Sequence, residues 1–525
     1  MRVTYSHDSR KVGQRQANKA STEKEIDVDS CKEFIGGEWV SALASETFPV
    51  TNSCTGEVIA QTPLSGVADV NRAVAAAKAA FPAWADKPIV ARTQVMFRYK
   101  QLLEAHADEI ASILVHEHGK THGEAVGELR RGIEVVELSC SLPMVYKGET
   151  LANVGGGVDY ETHRFPLGVC AAISPFNFPA MIPLWSTPLA ITCGNTFILK
   201  PSHQVPLTAT RLVELMAEAG LPAGVLNLVH GARDAAEALL THPDVRAVSF
   251  VGSTAVAESV YKTGTGHGKR VQAAGGAKNH LVVMPDAVLE PTVDAIRTSA
   301  FGCSGERCMA VATVIAVGDV GDTLVAALVE RAQALKVGRT DVDPAVEMGP
   351  LISQEHLDRI RGFIESGAAE GATLALDGRT KSIENAGRGF FIGPTIFDHV
   401  TPEMRIGREE IFGPVLCVMR ADTLGDAIDR LNRSPYGNAA SLFTQDGQAE
   451  RLFRREARCG MIGINVGVPA PTPFFPFTGW NRSFFGDLHL QGLEGMAFFT
   501  QQKVEMKRWF ESAKFAVNKD RSGWV

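Results

Sequence analysis

From Val169 onward, short apolar runs alternate with amphipathic helical stretches, and this alternation constrains the fold more than any other feature of the 525-residue chain. Thr196–Leu199, Val225–Val229, Ala247–Val251 and His280–Val283 have the length and composition of strands. Leu207–Ala219 and Thr254–Lys262 read as the helices around them, with Gly220-Leu221-Pro222 as a helix stop. A second series follows. Val311–Val317, Ala439–Phe443 and Met461–Asn465 read as strands, and Thr323–Ala334, Gln354–Ser366 and Leu424–Asn432 as helices. Strands alternating with helices imply parallel βαβ units, so the fold class is α/β with two doubly wound units. Ahead of both lie three helical stretches: Val67–Ala85, stopped near Pro82, then Arg92–Glu117 and Gly123–Ser139. Residues 468–486, rich in Pro, Phe and Gly, read as an ordered loop. Val154–Arg164 and the tail after Gly486 fit neither series and read as an appended arm.

Composition removes several classes of function. Length alone suggests about three to four domain-sized units. A net charge of −7 argues against a nucleic-acid partner, whose binding surfaces are usually basic. The most apolar stretch, Phe165–Leu199, is interrupted by Pro166, Pro175, Pro179, Pro183 and Pro188, so it cannot supply a membrane span. Nine cysteines without CxxC spacing fit neither a disulfide framework nor a zinc site, and no metal is expected. The first twenty residues carry five basic side chains without an apolar face, which reads as a tail rather than a targeting signal. The expected location is the cytoplasm, with the mitochondrial matrix as the alternative if that basic segment is a transit peptide.

Candidate chemistry centres on Phe301–Ala310, FGCSGERCMA. Cys308 follows a Gly-containing turn and adjoins Arg307, a cation that would favour the reactive thiolate. Read alone, Cys308 is either a nucleophile or a buried structural thiol, and Cys303 competes with it. Lys200, at the end of a strand-like run, could reach a ribose or phosphate. Gly252-Ser253-Thr254 joins a strand to a helix, a junction that offers free N–H groups to a pyrophosphate. The full Gly triplet of a dinucleotide fingerprint is missing there, and each of these turns read alone could be purely structural.

Taken in order, PFNFP (Pro175–Pro179), GNTFILKPS (Gly194–Ser202), FVGST (Phe250–Thr254), GERC (Gly305–Cys308) and EEIFGP (Glu409–Pro414) resemble the aldehyde dehydrogenase superfamily over residues 32–510. The resemblance implies a Rossmann-like NAD-binding domain (32–150 and 166–277) and an α/β catalytic domain (278–475). It also implies a flexible tail (1–31) and a β-arm for oligomerisation (151–165 and 476–525), hence a homodimer or homotetramer. It assigns Cys308 as catalytic thiol and Asn177 as oxyanion-hole amide. Phe176, Lys200, His203, Gly252, Ser253, Glu410 and Phe412 become cofactor-binding positions.

Two departures refine the resemblance. Most relatives carry Glu-Leu-Gly-Gly-Lys ahead of the nucleophile, and that Glu activates the hydrolytic water. Here the segment is Ala274-Gly275-Gly276-Ala277-Lys278, with Ala274 at the base position, 34 residues before Cys308. Alanine cannot take a proton, whereas a thiol acceptor needs less help. The pattern resembles the CoA-acylating methylmalonate-semialdehyde dehydrogenase branch, as do FNFPAMIPLW (Phe176–Trp185), GAKNH (Gly276–His280), RCMA (Arg307–Ala310) and FTGWNRSFFGDLHLQG (Phe477–Gly492). That branch implies a small semialdehyde as substrate and CoA as co-substrate. It implies Arg131 and Arg307 as the side chains that hold the substrate carboxylate, suited to it by their planar fork. Read alone, Arg131 is a solvated charge on a helix. The second departure is His203, where the family usually has a Glu that binds the adenosine ribose. NAD is expected, with NADP left open.

Overall fold

The computed structural model describes residues 30–510. Two large sheets organise it. The first has eight strands in the order Glu38–Val40, Glu33–Ile35, Leu226–Leu228, Thr196–Lys200, Val169–Ile173, Val245–Val251, Arg270–Ala274 and Phe484–Phe485. Its five central strands are parallel and its outer ones antiparallel. Strand order reverses between Val169–Ile173 and Val245–Val251. Ligands of open parallel sheets bind in the crevice at such a reversal, beyond the carboxyl ends of the strands. PFNFP leaves the carboxyl end of one of these two strands and Gly252-Ser253 the other.

The second sheet has seven strands in the order Thr373–Leu376, Thr395–Asp398, Val415–Ala421, Val311–Val317, Asn279–Val283, Ala439–Phe443 and Met461–Ile464. Only Thr373–Leu376 runs antiparallel. Its order reverses between Asn279–Val283 and Ala439–Phe443. Central strands in both sheets are buried almost throughout because helices cover both faces.

The arm is a small antiparallel sheet. Nine-residue strands Val158–Pro166 and Thr500–Arg508 pair along their full length, with Thr150–Leu151 on the outer side. Residues 476–486, assigned above to the arm, lie elsewhere. Trp480–Asn481 pairs with Tyr436–Gly437, and Phe484–Phe485 closes the edge of the first sheet. Only the end of the segment assigned as a flexible tail is described. There Ser30 bridges Gln61 and the Cys31 N–H donates to the Gln61 carbonyl at 2.8 Å, so residues 30 and 31 are tied down. The basic segment of the first twenty residues lies outside the described residues, as do residues 511–525.

Two helix expectations need correction. Helix Val67–Ala85 continues through Pro82. Pro82 is exposed, and the next turn is anchored by Trp84, which is buried and donates Nε1–H to the Ile191 carbonyl at 2.9 Å. Tertiary packing therefore outweighs the missing N–H. Arg92–Glu117 is two helices, Ile89–Ala105 and Ala107–His118, broken at His106. Among the described residues no helix is long and apolar enough to cross a membrane.

Candidate active site

The nucleophile segment links helix Leu289–Phe301 to strand Val311–Val317. Cys303, Ser304 and Gly305 all have left-handed backbone, with φ of 47°, 53° and 74°. Such strain in non-glycine residues persists only where the surroundings fix it. Here the Cys303 N–H donates to Glu124 Oε1 at 2.6 Å and Ser304 Oγ donates to the Gly349 carbonyl at 2.8 Å. Gly305 lies so close to Gly413 that a Cβ would meet the Gly413 carbonyl oxygen at 2.3 Å. This backbone contact docks GERC against EEIFGP, and Cys308, Glu410 and Phe412 line one cavity. Cys308 also packs against the apolar group that includes Phe178, Met181, Trp185, Met309 and Phe477. Cys303, the competing thiol, is buried.

The neighbouring-cation argument for a thiolate needs correction. The Arg307 guanidinium turns to Glu124 Oε1 at 3.0 Å and to the Thr298 carbonyl at 3.5 Å. Burial, followed by the charge of Glu410, pushes the Cys308 thiol up to about 12. The backbone N–H groups of Cys308 and Met309 oppose this more than Arg307 does. The resting side chain is a thiol.

Asn177 follows strand Val169–Ile173 and is buried, its Nδ2 donating to the Glu306 carbonyl at 2.9 Å. Lys120 donates to the Asn177 carbonyl at 2.9 Å and pairs with Glu128, both side chains fully buried. Glu128 in turn accepts the N–H groups of Ala180 and Met181 at the start of helix Met181–Thr192. A carboxylate there complements the helix dipole. Ala274 ends strand Arg270–Ala274 with its methyl in the same apolar group as Met309, Phe477 and Phe484.

On the coenzyme side, Lys200 ends its strand buried, donating to the carbonyls of Pro201 at 2.9 Å and Gly231 at 2.6 Å. Burial lowers it to about 8. His203 lies edge-on to Phe48 at 4.6 Å between ring centroids, and burial, followed by the charge of Lys200, lowers it to about 4, so it is neutral at pH 7. Ser253 begins helix Thr254–Gly266 without a side-chain cap, which leaves the first N–H groups of that helix to the crevice. Gly252 has no room for a Cβ, which would meet the Phe250 ring at 2.5 Å. Glu410 Oε1 accepts the Ala277 N–H at 2.8 Å, and burial raises it to about 7. A Cβ on Gly276 would fall 2.2 Å from Glu410 Oε2. The Phe412 and Phe176 rings meet edge to face at 6.0 Å. Phe412 has φ 60°, and its carbonyl accepts from His356 Nε2 at 2.7 Å. Lys200 and Gly252 thus stand at the carboxyl ends of parallel strands of the first sheet, while Glu410 and Phe412 line the cavity that holds Cys308.

Arg131 is half-buried on helix His122–Cys140, one turn before Val135 of the apolar group around Cys308. Its NH1 donates to Glu134 Oε2 at 2.6 Å and its NH2 to the Pro471 carbonyl.

Several site residues escaped the sequence reading. Asn279 and Asn438 both donate Nδ2–H to the Cys308 carbonyl, at 2.8 and 3.0 Å. Asn279 falls inside the GAKNH stretch and Asn438 outside every quoted motif, and neither carries a local pattern that points to the Cys308 carbonyl. Glu306 is fully buried beside the nucleophile with Oε2 unpartnered, and Oε1 accepts the Ile352 N–H at 3.2 Å. Glu124 had a legible signal, because Thr121-x-x-Glu124 is a capping box. Nothing local said that it also holds Cys303 and Arg307.

Residues 39–504 match the model of the Aldehyde dehydrogenase family. Malonate-semialdehyde dehydrogenase 1 of Geobacillus thermodenitrificans is 50% identical over 482 residues, 92% of this chain and 99% of that protein. Malonate-semialdehyde dehydrogenase of Halalkalibacterium halodurans is 49% identical over 493 residues, 94% and 100% of the two chains. Among solved structures, a putative methylmalonate-semialdehyde dehydrogenase from Sinorhizobium meliloti 1021, complexed with NAD, superposes with a TM-score of 0.91 at 42% identity, covering 93% of this chain and 100% of that one. Methylmalonate-semialdehyde dehydrogenase from Oceanimonas doudoroffii gives 0.91 at 46% identity, with the same coverage.

Proposed function

The chain belongs to the aldehyde dehydrogenase family, and from that premise we propose that it oxidises malonate or methylmalonate semialdehyde with NAD and delivers the acyl group to coenzyme A. The relatives' substrates support the semialdehyde, and the NAD-bound structural relative supports the coenzyme. The observation that carries the acyl-transfer reading is Ala274, a methyl in an apolar setting where a general base would have to stand.

In this reading Cys308 Sγ releases its proton to solvent water and attacks the aldehyde carbon, forming a thiohemiacetal oxyanion. The Asn177 amide and the Cys308 N–H hold the oxyanion, and losing one such donor typically costs about 10²–10³ in rate. Arg131 and Arg307 orient the substrate carboxylate through guanidinium N–H groups other than those held by Glu134, Pro471, Glu124 and Thr298. Lys200 and Glu410 hold the riboses, Gly252 and Ser253 the pyrophosphate, and Phe176 and Phe412 flank the reacting end, while His203 stands near the adenosine ribose. Bound NAD supplies the hydride acceptor. The acyl group then remains on Cys308 as a thioester, with its carboxylate β to the thioester carbonyl. That carbonyl is an electron sink for loss of CO₂. The enolate left behind takes a proton from water; CoA then attacks as its thiolate and displaces Cys308, which recovers a proton, and the product leaves as acetyl-CoA or propionyl-CoA. No base is needed at Ala274, because a thiolate is itself a strong nucleophile.

A hydrolytic enzyme is the second reading, favoured by Glu410. It is a carboxylate that titrates near neutrality and shares a cavity with Cys308. One assay separates the two readings: NADH formation from malonate semialdehyde with and without CoA, with product analysis. The expected outcome is strong CoA dependence, with acetyl-CoA and CO₂ as products. CoA-independent release of free malonate would replace the first reading with the second. Running the assay with NADP tests the neutral His203, which neither repels nor attracts a 2′-phosphate.

The first sheet supports a coenzyme domain and the second a catalytic domain. The arm is proposed to pair subunits in a homodimer or homotetramer. The cytoplasm is the proposed location, consistent with bacterial relatives.

A further inference from the structure

Asn279 begins strand Asn279–Val283, and Asn438 immediately precedes its parallel neighbour Ala439–Phe443. Both side chains are buried. From the ends of these adjacent strands, both carboxamides point at one atom. Asn279 Nδ2 donates to the Cys308 carbonyl at 2.8 Å and to the Ala310 carbonyl at 2.9 Å. Asn438 Nδ2 donates to the Cys308 carbonyl at 3.0 Å and lies 3.2 Å from Met309 Sδ. The Ala439 N–H donates to Asn279 Oδ1 at 3.1 Å, which fixes the orientation of that amide and ties the two strands together.

The carbonyl so held belongs to the Cys308–Met309 peptide, whose other end is the Met309 N–H. That peptide directly follows the nucleophile, so the two amides that hold its carbonyl fix its orientation beside Sγ. A carbonyl accepting two hydrogen bonds polarises its own peptide group and strengthens its N–H as a donor. We propose that Asn279 and Asn438 are positioning residues that clamp the Cys308–Met309 peptide beside the sulfur, and that this clamp sets the reactivity of the nucleophile. The functional consequence rests on the reading of Cys308 as nucleophile; the clamp itself does not.

Site-resolved alkylation tests it. The full chain is treated with iodoacetamide from about pH 6 to about pH 9, and modification of Cys308 and of Cys303 is followed by peptide mass spectrometry. Well below the midpoint of a thiol, the rate is proportional to the thiolate fraction. Asn438→Leu is expected to slow Cys308 about tenfold at every pH, a parallel displacement of about one pH unit. Asn438→Asp, which offers only acceptors to the carbonyl, is expected to slow it at least as much. Buried Cys303 should keep its parent rate. Should either Asn438 variant fail to fold, Asn279→Ser is expected to shift Cys308 in the same direction. A Cys308 profile superimposable on the parent's overturns the proposal. Acceleration of both cysteines also overturns it, because that is loosening rather than loss of a clamp. Cys308→Ser separates the underlying reading: retained semialdehyde oxidation would remove Cys308 as nucleophile while leaving the alkylation result to decide the clamp.

Discussion

Glu306 is a carboxyl group inside the protein with one oxygen unpartnered, next to a residue that carries chemistry. Burial, opposed by the Ile352 N–H and the charge of Lys120, raises it from 4.5 to about 8. Its folded value is the higher one, so its contribution to stability is complete below pH 4.5 and is lost as the pH rises through 8. Glu306→Gln keeps an acceptor for Ile352 and removes the titration. The variant should match the parent near pH 4.5 and be more stable than it at pH 8. Thermal unfolding at the two pH values checks the sign, and equal shifts at both would deny the buried acid this role. Arg131 tests recognition at the same scale. Arg131→Leu should raise KM for a carboxylated semialdehyde by about tenfold to a hundredfold while sparing propanal, because the lost contact is a charged fork. Equal loss on both aldehydes would remove Arg131 from substrate recognition.

Elements bring these residues together by close backbone approach more than by side-chain bulk. The turn before the nucleophile is left-handed at three successive residues, and its third, Gly305, touches the backbone of Gly413. Gly305→Ala would place a methyl 2.3 Å from a carbonyl oxygen at φ 74°. Such a position costs on the order of 1–3 kcal/mol in backbone strain before the clash is counted. The variant should lose more than about tenfold in kcat, with Cys308 pulled out of register from Glu410 and Phe412. Steady-state kinetics and a crystal structure of the variant check this, and parent-like kcat would mean that the loop tolerates displacement. Strands and helices with a clear period were legible in the sequence: Val311–Val317, Leu424–Asn432 and Ala439–Phe443 form with the bounds their patterns predict. Helix Met181–Thr192 was not. All twelve of its residues are buried, so it has no polar face to create a period, and Pro183 and Pro188 read as breakers. Pro183 falls in the first turn, where a missing N–H costs little, and surrounding packing holds the rest.

For the whole molecule, the arm is a feature with an open sheet edge among the described residues. Among the described residues, strand Thr500–Arg508 bonds to Val158–Pro166 along one edge only, and it exposes Val504 (67%) and Met506 (64%). An open edge bearing exposed apolar side chains is a template for pairing with another chain. A Val504→Glu, Met506→Lys double variant should weaken self-association by at least about tenfold in Kd, since each buried apolar side chain is worth on the order of 1.5 kcal/mol or more. Sedimentation velocity over a dilution series checks it, and an unchanged assembly would locate the contact elsewhere.

The sequence by itself determined the class of fold and the order of its parts, because hydrophobic period and turn residues are local properties that act within a few residues. It also determined the chemistry absent at Ala274, since a methyl group offers no proton acceptor anywhere in any fold. What the thiol is like was left to tertiary structure. Arg307 stands next to Cys308 in the chain, yet one of its N–H groups is turned to Glu124, 183 positions away. The hydrogen bonds on the Cys308 carbonyl come from side chains 29 and 130 positions away. Electrostatics and hydrogen bonding depend on distance in space, burial and angle, and only the assembled sheets set those.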